Sequence, residues 1–345
     1  MRGNFWSQLP KPIFALAPMA NVTDAAFRRI IATYSRPAGP AVFWTEFVSV
    51  EGLLSRGREK LLVDLWFTEA ERPIVAQIFG GKPEQFYEVA KLIVSLGFDG
   101  VDVNMGCPDK GVEKSGGGAA LIKNPALAQK VISELRRGVH DAGSTIPVSV
   151  KTRIGYAKNE METWLPALLE TGIDALTVHL RTRKEMSFPA AHWELVPRIM
   201  ELTNRYAPQT IVLGNGDIKD LIEARQRVSE TGCDGVMLGR AIFGNPWLFS
   251  EKTPTTEEKL RVCVEHMKLF EELYGATAVA TIGRARIKPF DVMKKHFKAY
   301  VHGFSAKGED GTTVKDLRLQ MMAAESTEEV EALTNGFLCN KNTPQ

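Results

Sequence analysis

The sequence predicts an α/β protein, a (β/α)8 or TIM barrel followed by a small C-terminal bundle of helices. Over the first 250 or so residues, short β-branched runs alternate with amphipathic helical segments, which is typical of parallel strands joined by helices. There are eight such units, which is the number of strands in the barrel. From about residue 254 onward only helical periodicity remains.

The predicted strands are apolar runs of five residues, and helical segments lie between most of them. Pro83 and Pro125 stand in predicted first helical turns, where proline is tolerated, and Gly97, Gly143 and Gly172 stand where helices stop. A doubly wound open sheet would alternate similarly, but its GxGxxG turn is absent after the first strand. The runs are residues 13–17, 42–46, 74–78, 100–104, 147–151, 175–179, 211–215 and 235–239.

The carboxyl ends of the predicted strands carry polar residues and glycines. In a barrel of this type the chemistry lies at that rim. One polar strand end is routine, but a whole rim of them indicates a ligand site. The residues are Pro18, Met19, Glu46, Gln77, Asn104, Lys151, His179, Asn215, Gly216, Gly239 and Arg240.

The loops after the seventh and eighth strands are predicted to bind phosphate. GNGDI (214–218) and LGRAIFGNP (238–246) lie where such barrels place backbone N–H groups around an anion. Glycine allows a close approach, and Arg240 adds a planar set of donors. Ordinary turn chemistry is the alternative.

Three strand-end residues suit a flavin but also have structural interpretations. Lys151 could stabilise the anionic N1/O2 edge of a reduced flavin, or it could extend to the rim or pair with Glu46. Gln77 can donate and accept at an imide edge, although a satisfied strand-end amide would look the same. His179 could contact a phosphate or a ring carbonyl, or it could be structural.

Cys107 is the candidate catalytic residue. It follows its strand, next to Pro108 and ahead of a glycine-rich loop that could move, so its thiol is placed to meet a substrate. A nucleophile would need a base that the local spacing does not supply, whereas a proton donor needs only the protonated thiol that is normal near neutral pH. An inert buried cysteine describes Cys233 and Cys263 better.

We expect a barrel domain at residues 1–252, a helical domain at 253–337 and a flexible tail at 338–345. PTTEE (254–258) marks the junction and a helix N-cap. Between residues 284 and 307 the sequence has seven Lys or Arg but only one acidic residue, Asp291. This favours contacts with an RNA backbone over a plain solvated helix face, which would normally include acids.

Composition excludes several other classes. The apolar runs are far shorter than the ~20 residues of a membrane span, and the N-terminus lacks a signal-like segment, so we expect a cytoplasmic protein without membrane contact. The four cysteines are widely spaced without a CxxC pair, which suggests neither zinc nor disulfides. The net charge of +2 implies no polyanionic partner by itself. We expect a monomer without metal.

Together these segments resemble the tRNA-dihydrouridine synthases over the whole predicted barrel. LAPMANVTDAAFR (16–28) is similar to the family's flavin-contacting first strand, and QIFG (77–80) to its glutamine motif. DVNMGCPDKGVEKSGGGAAL (102–121) resembles its catalytic loop, and the NMGCP segment within it is highly specific. The match continues in order through VKTRIG (150–155), VHLRTR (178–183), NGDI and LGRAIFGNPWLF.

The resemblance implies an enzyme that reduces the C5–C6 double bond of specific uridines in tRNA. NADPH or NADH would reduce FMN, hydride would pass from N5 to C6 of a flipped-out uridine, and Cys107 would protonate C5. Extruding the base costs a few kcal/mol, so further RNA contacts are needed. The substrate residues would be Asn104, which grips the uracil, with Lys110, Arg181, Arg286, Lys294 and Lys295. The FMN residues would be Pro18, Met19, Ala20, Gln77, Lys151, His179, Asn215, Gly216, Asp217, Gly239 and Arg240.

The loop after the sixth predicted strand departs from the family pattern, as in a divergent bacterial subgroup. Leu180 stands where glycine is usual in this loop, and in the earlier segment 102–121 Gly111 replaces a usual lysine. Ser187, Pro189 and His192 stand where tyrosine, glycine and aspartate are common. These changes leave the flavin site untouched but affect the RNA-facing loop, so the target uridine cannot be transferred.

Two other functions stay open at this point. A flavin-dependent barrel oxidoreductase of a free small molecule, such as dihydroorotate, would have no use for a basic helical appendage. A non-enzymatic RNA-binding protein would have no need of Cys107, Lys151 and Asn104.

Overall fold

The structure is a computed structural model that describes residues 4–275, 287–303 and 312–338. It confirms the predicted barrel, since all eight predicted strands form in one parallel sheet. The strands are β1 (Ile13–Leu16), β2 (Phe43–Trp44), β3 (Val48–Ser49), β4 (Ile74–Phe79), β5 (Gly100–Met105), β6 (Val148–Arg153), β7 (Ala175–His179), β8 (Ile211–Asn215) and β9 (Gly235–Leu238). Every strand pairing within that sheet is parallel, and the strand order is β1-β9-β8-β7-β6-β5-β4-β2.

The barrel closes between its first two strands. Ala15 forms a parallel bridge with Val42, and the Ala41 N–H donates to the Phe14 carbonyl at 2.8 Å. The second strand ends at Trp44 rather than at residue 46, and the two-residue strand β3 follows it and pairs with β4.

The early end of β2 has a local cause in Thr45. Its Oγ1 donates to the Glu46 carbonyl at 2.9 Å and accepts the Gln77 N–H at 3.1 Å. The Thr45 side chain therefore accepts the Gln77 N–H in place of a main-chain carbonyl, and the regular pairing of β2 with β4 ends here.

The helices between the strands begin and end near the predicted residues. Pro83 and Pro125 are first helical residues, and the glycines at 97, 143 and 172 have φ of +78°, +70° and +70°, as left-handed helix ends require. These helices are α1 (Ala25–Ser35), α2 (Val50–Leu53), α3 (Arg58–Leu62), α4 (Pro83–Ser95), α5 (Lys110–Lys114), α6 (Pro125–Asp141), α7 (Met161–Leu169), α8 (Val196–Tyr206) and α9 (Leu221–Thr231).

Contacts divide the chain into two compact units. The first, called the barrel unit, comprises Met1–Ala25 and Ala38–Arg240, and the second, the helical unit, comprises Ala26–Pro37 and Ala241–Gln345. Most of α1 thus groups with the C-terminal helices, which the sequence pattern did not indicate. The functional boundary at residue 252 stays a prediction.

The helical unit contains α10 (Thr256–Tyr274), α11 (Lys294–Tyr300), α12 (Val314–Ala323) and α13 (Thr327–Leu338). Thr255 caps α10 together with Glu258 in a capping box, as the PTTEE motif predicted. The last predicted helical stretch is divided after Ala324, whose ψ of 144° is extended. Arg286 and the tail beyond residue 338 lie outside the described residues.

Among the described residues, no helix is long and apolar enough to cross a membrane. The same part of the chain has no group of three or more His, Cys, Asp or Glu side chains in a metal-binding arrangement.

Candidate active site

A cavity of about 230 Å³ lies at the carboxyl ends of β1 and β6 to β9. The parallel register puts Arg153, His179 and Asn215 beside one another on adjacent strands, which is why residues distant in sequence meet here. The cavity brings together nine of the predicted FMN residues and leaves out Ala20 and Gln77. These nine are Pro18, Met19, Lys151, His179, Asn215, Gly216, Asp217, Gly239 and Arg240.

The cavity is cationic, because Lys151, Arg153 and Arg240 line it with Asp217 as the acid. The Lys151 ammonium donates to Asn215 Oδ1 at 3.1 Å. Burial, assisted by the charge of Arg153, lowers the pKa of Lys151 to about 8. A bound anion would favour the charged form, so the donor set suits a phosphate or an anionic ring edge.

Asp217 holds two arginines at the phosphate-binding turn. Its carboxylate accepts hydrogen bonds from Arg181, from Arg240 Nη2 at 2.7 Å and from the Ala191 N–H at 2.9 Å. Burial would raise the pKa of Asp217, but the bonds from Arg181 and Ala191 outweigh it and keep the pKa below its usual value. The φ of Gly216, +136°, makes the turn that presents this carboxylate.

Arg181, one of the predicted substrate residues, is only 2% exposed. Its Nε donates to the Pro189 carbonyl at 2.6 Å, and its Nη2 binds the Asp217 carboxylate. The side chain therefore braces the loop after β7, and an RNA contact by Arg181 stays a prediction.

His179 is a neutral ring in this site. Burial, together with the charges of four surrounding basic side chains, lowers its pKa to about 2. Arg181 Nη1 lies 3.3 Å from His179 Nε2, so this nitrogen is the acceptor and Nδ1 carries the proton. A neutral histidine can donate to a ring carbonyl or a phosphate without adding charge.

The thiol of Cys107 is partly exposed just beyond β5. Its backbone N–H donates to Asn104 Oδ1 at 2.9 Å, and its carbonyl accepts the Ala119 N–H at 2.9 Å. Burial raises the pKa of Cys107 above the ordinary thiol value. The thiol is therefore protonated at neutral pH, which is the form a proton donor needs.

Two of the three successive glycines after Cys107, Gly117 and Gly118, are needed for close packing. A Cβ on Gly117 would lie 2.8 Å from the Gly80 nitrogen, and one on Gly118 would lie 2.7 Å from the Cys107 carbonyl oxygen. Gly118 also has a φ of +58°. Only glycine fits between these backbones, so the run also has a steric reason, and movement of the loop stays a prediction.

The family model described as "Dihydrouridine synthase (Dus)" matches residues 15–335. This chain belongs to the dihydrouridine synthase family. It is 41% identical to a "Probable tRNA-dihydrouridine synthase" of Staphylococcus aureus strain COL, over 98% of this chain and 96% of that protein. It is 40% identical to the "Probable tRNA-dihydrouridine synthase 2" of Bacillus subtilis strain 168, over 98% and 97% of the two chains.

A solved structure supports the fold alone. The 6-hydroxypseudooxynicotine amine oxidase HisD of Pseudomonas geniculata N1 aligns with 96% of this chain and 66% of its own, at a TM-score of 0.50 and 13% identity.

In this dihydrouridine synthase family member, a row of buried polar side chains supports the loop that carries Cys107. The Asp102 carboxylate accepts from Ser149 Oγ at 2.6 Å and from Gln77 Nε2 at 2.7 Å. Gln77 Oε1 in turn accepts from Asn104 Nδ2 at 3.0 Å. Burial raises the pKa of Asp102 to about 6 against these hydrogen bonds. Gln77 and Asn104 therefore support the Cys107 loop, and their contacts with flavin and uracil stay predictions.

Sequence reasoning did not single out Asp102 and Arg153, although a signal was present. Residues two apart on a strand share a face, so Asp102 lies on the face of Asn104, and Arg153 on that of Lys151. The Arg153 guanidinium donates to the carbonyls of Gly106 at 2.8 Å, Thr182 at 3.0 Å and Met186 at 2.9 Å. It fastens the loops after β5 and β7 to the cavity wall, and burial lowers its pKa to about 10.

The remaining described substrate residues are not among those that line this cavity. Lys110 is exposed at the start of α5, whose N-terminus Asp109 caps. In the helical unit, Lys294 pairs with Asp291 at 2.6 Å, and Lys295 lines a second cavity of about 510 Å³. The basic residues around that second cavity are Lys252, Lys259, Lys295, Lys298 and His302.

Proposed function

We propose that this protein reduces uridine to dihydrouridine in tRNA, with FMN as its cofactor and NADPH or NADH as the reductant. The observation that carries the proposal is the partly exposed, protonated thiol of Cys107 on the same barrel rim as the cationic cavity. Membership of the dihydrouridine synthase family supports this assignment, because the specific NMGCP segment contains both Asn104 and Cys107.

The residues present fit FMN by the chemistry of their donors. Lys151 and Arg153 supply positive charge in the cavity, Arg240 and the glycine turns suit a phosphate, and neutral His179 suits a ring carbonyl. Pro18 and Met19 add apolar wall. When bound and reduced, FMN supplies the hydride that is added to C6 of the uracil ring.

Cys107 completes the addition by giving its Sγ proton to C5, so that two hydrogens saturate the C5–C6 bond. The resulting thiolate lies within the electrostatic influence of Arg153 and Lys151, and it regains a proton from solvent. Asn104 holds the Cys107 backbone, so the direction of the thiol is fixed before the base arrives.

The helical unit is proposed to bind the tRNA backbone. Four lysines around one cavity attract phosphates without reading sequence. Lys298 is exposed, and Lys295 was already predicted from sequence, so this cavity is the place to test charge reversal. A monomeric state and a cytoplasmic location stay predictions.

The decisive experiment compares wild-type protein with Cys107→Ala on unmodified tRNA. Purified protein should be yellow with FMN, should oxidise NADPH and should form dihydrouridine, whereas Cys107→Ala should keep the flavin and lose dihydrouridine formation by roughly 10²- to 10⁴-fold. Cys233→Ala is the matched control, since Cys233 is buried and bonded to the Gly235 carbonyl.

Other outcomes would point to the alternatives. Turnover of dihydroorotate without turnover of tRNA would indicate a small-molecule oxidoreductase. Protein that binds tRNA but stays colourless after FMN addition would indicate an RNA-binding protein without activity.

A further inference from the structure

Phe188 is the most exposed large apolar side chain among the described residues. It is 89% exposed, while Ile222 follows at 73%. Single apolar residues on a surface are ordinary, so exposure alone indicates nothing. Its position is what matters, because Phe188 lies in the loop after β7, between residues tied to the wall of the active-site cavity.

The backbone around Phe188 is held on both sides. Arg153, which lines the cavity, binds the Met186 carbonyl, and Arg181 binds the Pro189 carbonyl through Nε at 2.6 Å. The Phe188 N–H itself donates to the Glu185 carbonyl at 3.1 Å. These bonds hold the backbone on both sides of Phe188 while its ring is exposed to solvent.

The loop is also fastened to the catalytic cysteine's loop. Arg183 Nη2 donates to Glu113 at 2.6 Å and to the Pro108 carbonyl at 3.2 Å. Glu113 belongs to α5, which follows Cys107 directly. The position of Phe188 is therefore set relative to the thiol through hydrogen bonds.

Two exposed lysines belong to the same part of the chain: Lys184 lies four residues before Phe188, and Lys158 lies in a turn bonded to Lys184. The Lys184 N–H donates to the Tyr156 carbonyl at 2.9 Å, which joins it to that turn. Proteins commonly hold single-stranded or unstacked bases with an exposed aromatic ring on a surface that also carries cations. A protein partner would not need the lysines.

We propose that Phe188 stacks on a nucleobase of the tRNA next to the uridine that enters the active site. The inference rests on the proposed function and adds a positioning residue to it. Stacking there would fill the space that the extruded uridine leaves or would hold the neighbouring base away from it. The ring thus helps to keep the target uridine out of the stack.

The test compares Phe188→Ala, Phe188→Leu and Phe188→Trp on unmodified tRNA, with Ile222→Ala on α9 as the matched exposed control. We expect Phe188→Ala and Phe188→Leu to lower kcat/KM and tRNA affinity by about 5- to 100-fold. Phe188→Trp and Ile222→Ala should remain within about threefold of wild type, since indole also stacks. FMN binding and NADPH oxidation without tRNA should be unchanged in all four.

The outcomes separate the stacking proposal from the proposed function. If wild type forms no dihydrouridine, the proposed function fails, and tRNA affinity still tests stacking. Equal tRNA affinity in Phe188→Ala and Ile222→Ala overturns stacking, and so does rescue by leucine. A change in oligomeric state with Phe188→Ala would instead assign the ring to a contact between copies of the chain.

Discussion

Asn104 Oδ1 accepts the backbone N–H of Cys107 at 2.9 Å and that of Gly106 at 3.2 Å. The same side chain donates to Gln77, whose orientation is set by Asp102. The turn that carries the Cys107 thiol is thus held by a row of hydrogen bonds that runs through the buried amides of Asn104 and Gln77 to the carboxylate of Asp102.

Asn104→Ala should lower the rate of dihydrouridine formation by roughly 10²-fold, since a small displacement of a reacting group has that effect. Two backbone N–H groups and the Gln77 oxygen lose their partner, so unfolding free energy should fall by about 1–3 kcal/mol. Single-turnover kinetics and thermal unfolding check this. Ser149→Ala is the control, because it removes the hydrogen bond to Asp102, which is the bond in this row farthest from Cys107. A normal rate in Asn104→Ala would show that the thiol is held by other contacts.

Gly118→Ala should destabilise the protein and slow catalysis. At φ +58° an L-residue costs about 1–2 kcal/mol, and the added methyl group would lie 2.7 Å from the Cys107 carbonyl oxygen. Gly232→Ala provides a control with a similar φ of +73° and no atom within 4 Å of the added carbon. We expect both variants to lose stability but only Gly118→Ala to lose kcat. Equal kcat in both would argue against steric control of the thiol.

FMN affinity should fall as pH rises above 8. The pKa of Lys151 in the free site is about 8, and a bound anion raises it, so binding takes up a proton above that pH. Affinity should then decrease by at most about tenfold per pH unit. Fluorescence titration from pH 7 to 9.5 measures this, and Lys151→Arg should flatten the profile because arginine stays charged. A slope unchanged by that substitution would assign the proton to another group.

Asp217→Ala should lower the stability of the fold. It leaves the buried guanidinium of Arg181 without its carboxylate, which should cost about 1–3 kcal/mol of unfolding free energy. Glu162→Gln is the control for a solvent-exposed pair, since Glu162 meets Arg198 at 2.9 Å on the surface and should contribute under about 1 kcal/mol. Chemical denaturation of both variants decides the comparison.

Acid should destabilise the helical unit below pH 6.5. Burial lowers the pKa of His266 to about 3 and that of His296 well below its usual value. Both rings stay neutral in the folded unit, whereas the unfolded chain takes up protons below about 6.5, so unfolding binds protons and stability falls as pH falls. Each ring contributes up to about 1.4 kcal/mol per pH unit.

Thermal unfolding between pH 5 and 7.5 should show this dependence, and His296→Leu should weaken it. His302→Gln, at an exposed position, is the control. A dependence that His296→Leu leaves intact would place the proton uptake elsewhere.

The sequence predicted the strands and most of the cavity because apolar runs and strand-end polar residues follow from simple periodicity. Contacts between buried polar side chains were harder to predict from the sequence. Asp102 sits inside an apolar strand, and its partners Gln77 and Ser149 become visible only through the register of β4, β5 and β6. Gly117 and Gly118 show the same limit, since a run of glycines does not reveal whether it serves motion or close packing.

For some charged residues the sequence did not decide whether the side chain is exposed or buried. Arg181 reads as a surface cation in VHLRTR, but Asp217 and the Pro189 carbonyl draw it inward. The grouping of α1 with the C-terminal helices depends on packing between segments that are far apart in the chain.

Arg153 hydrogen-bonds the loop after β7 through main-chain oxygens, those of Thr182 and Met186. Every amino acid offers the same oxygen, so this anchorage is indifferent to which side chains the loop carries. Ser187 and Phe188 could thus be exchanged during evolution while the loop kept its attachment to the flavin rim. RNA preference could diverge in this lineage without disturbing the redox chemistry beneath it.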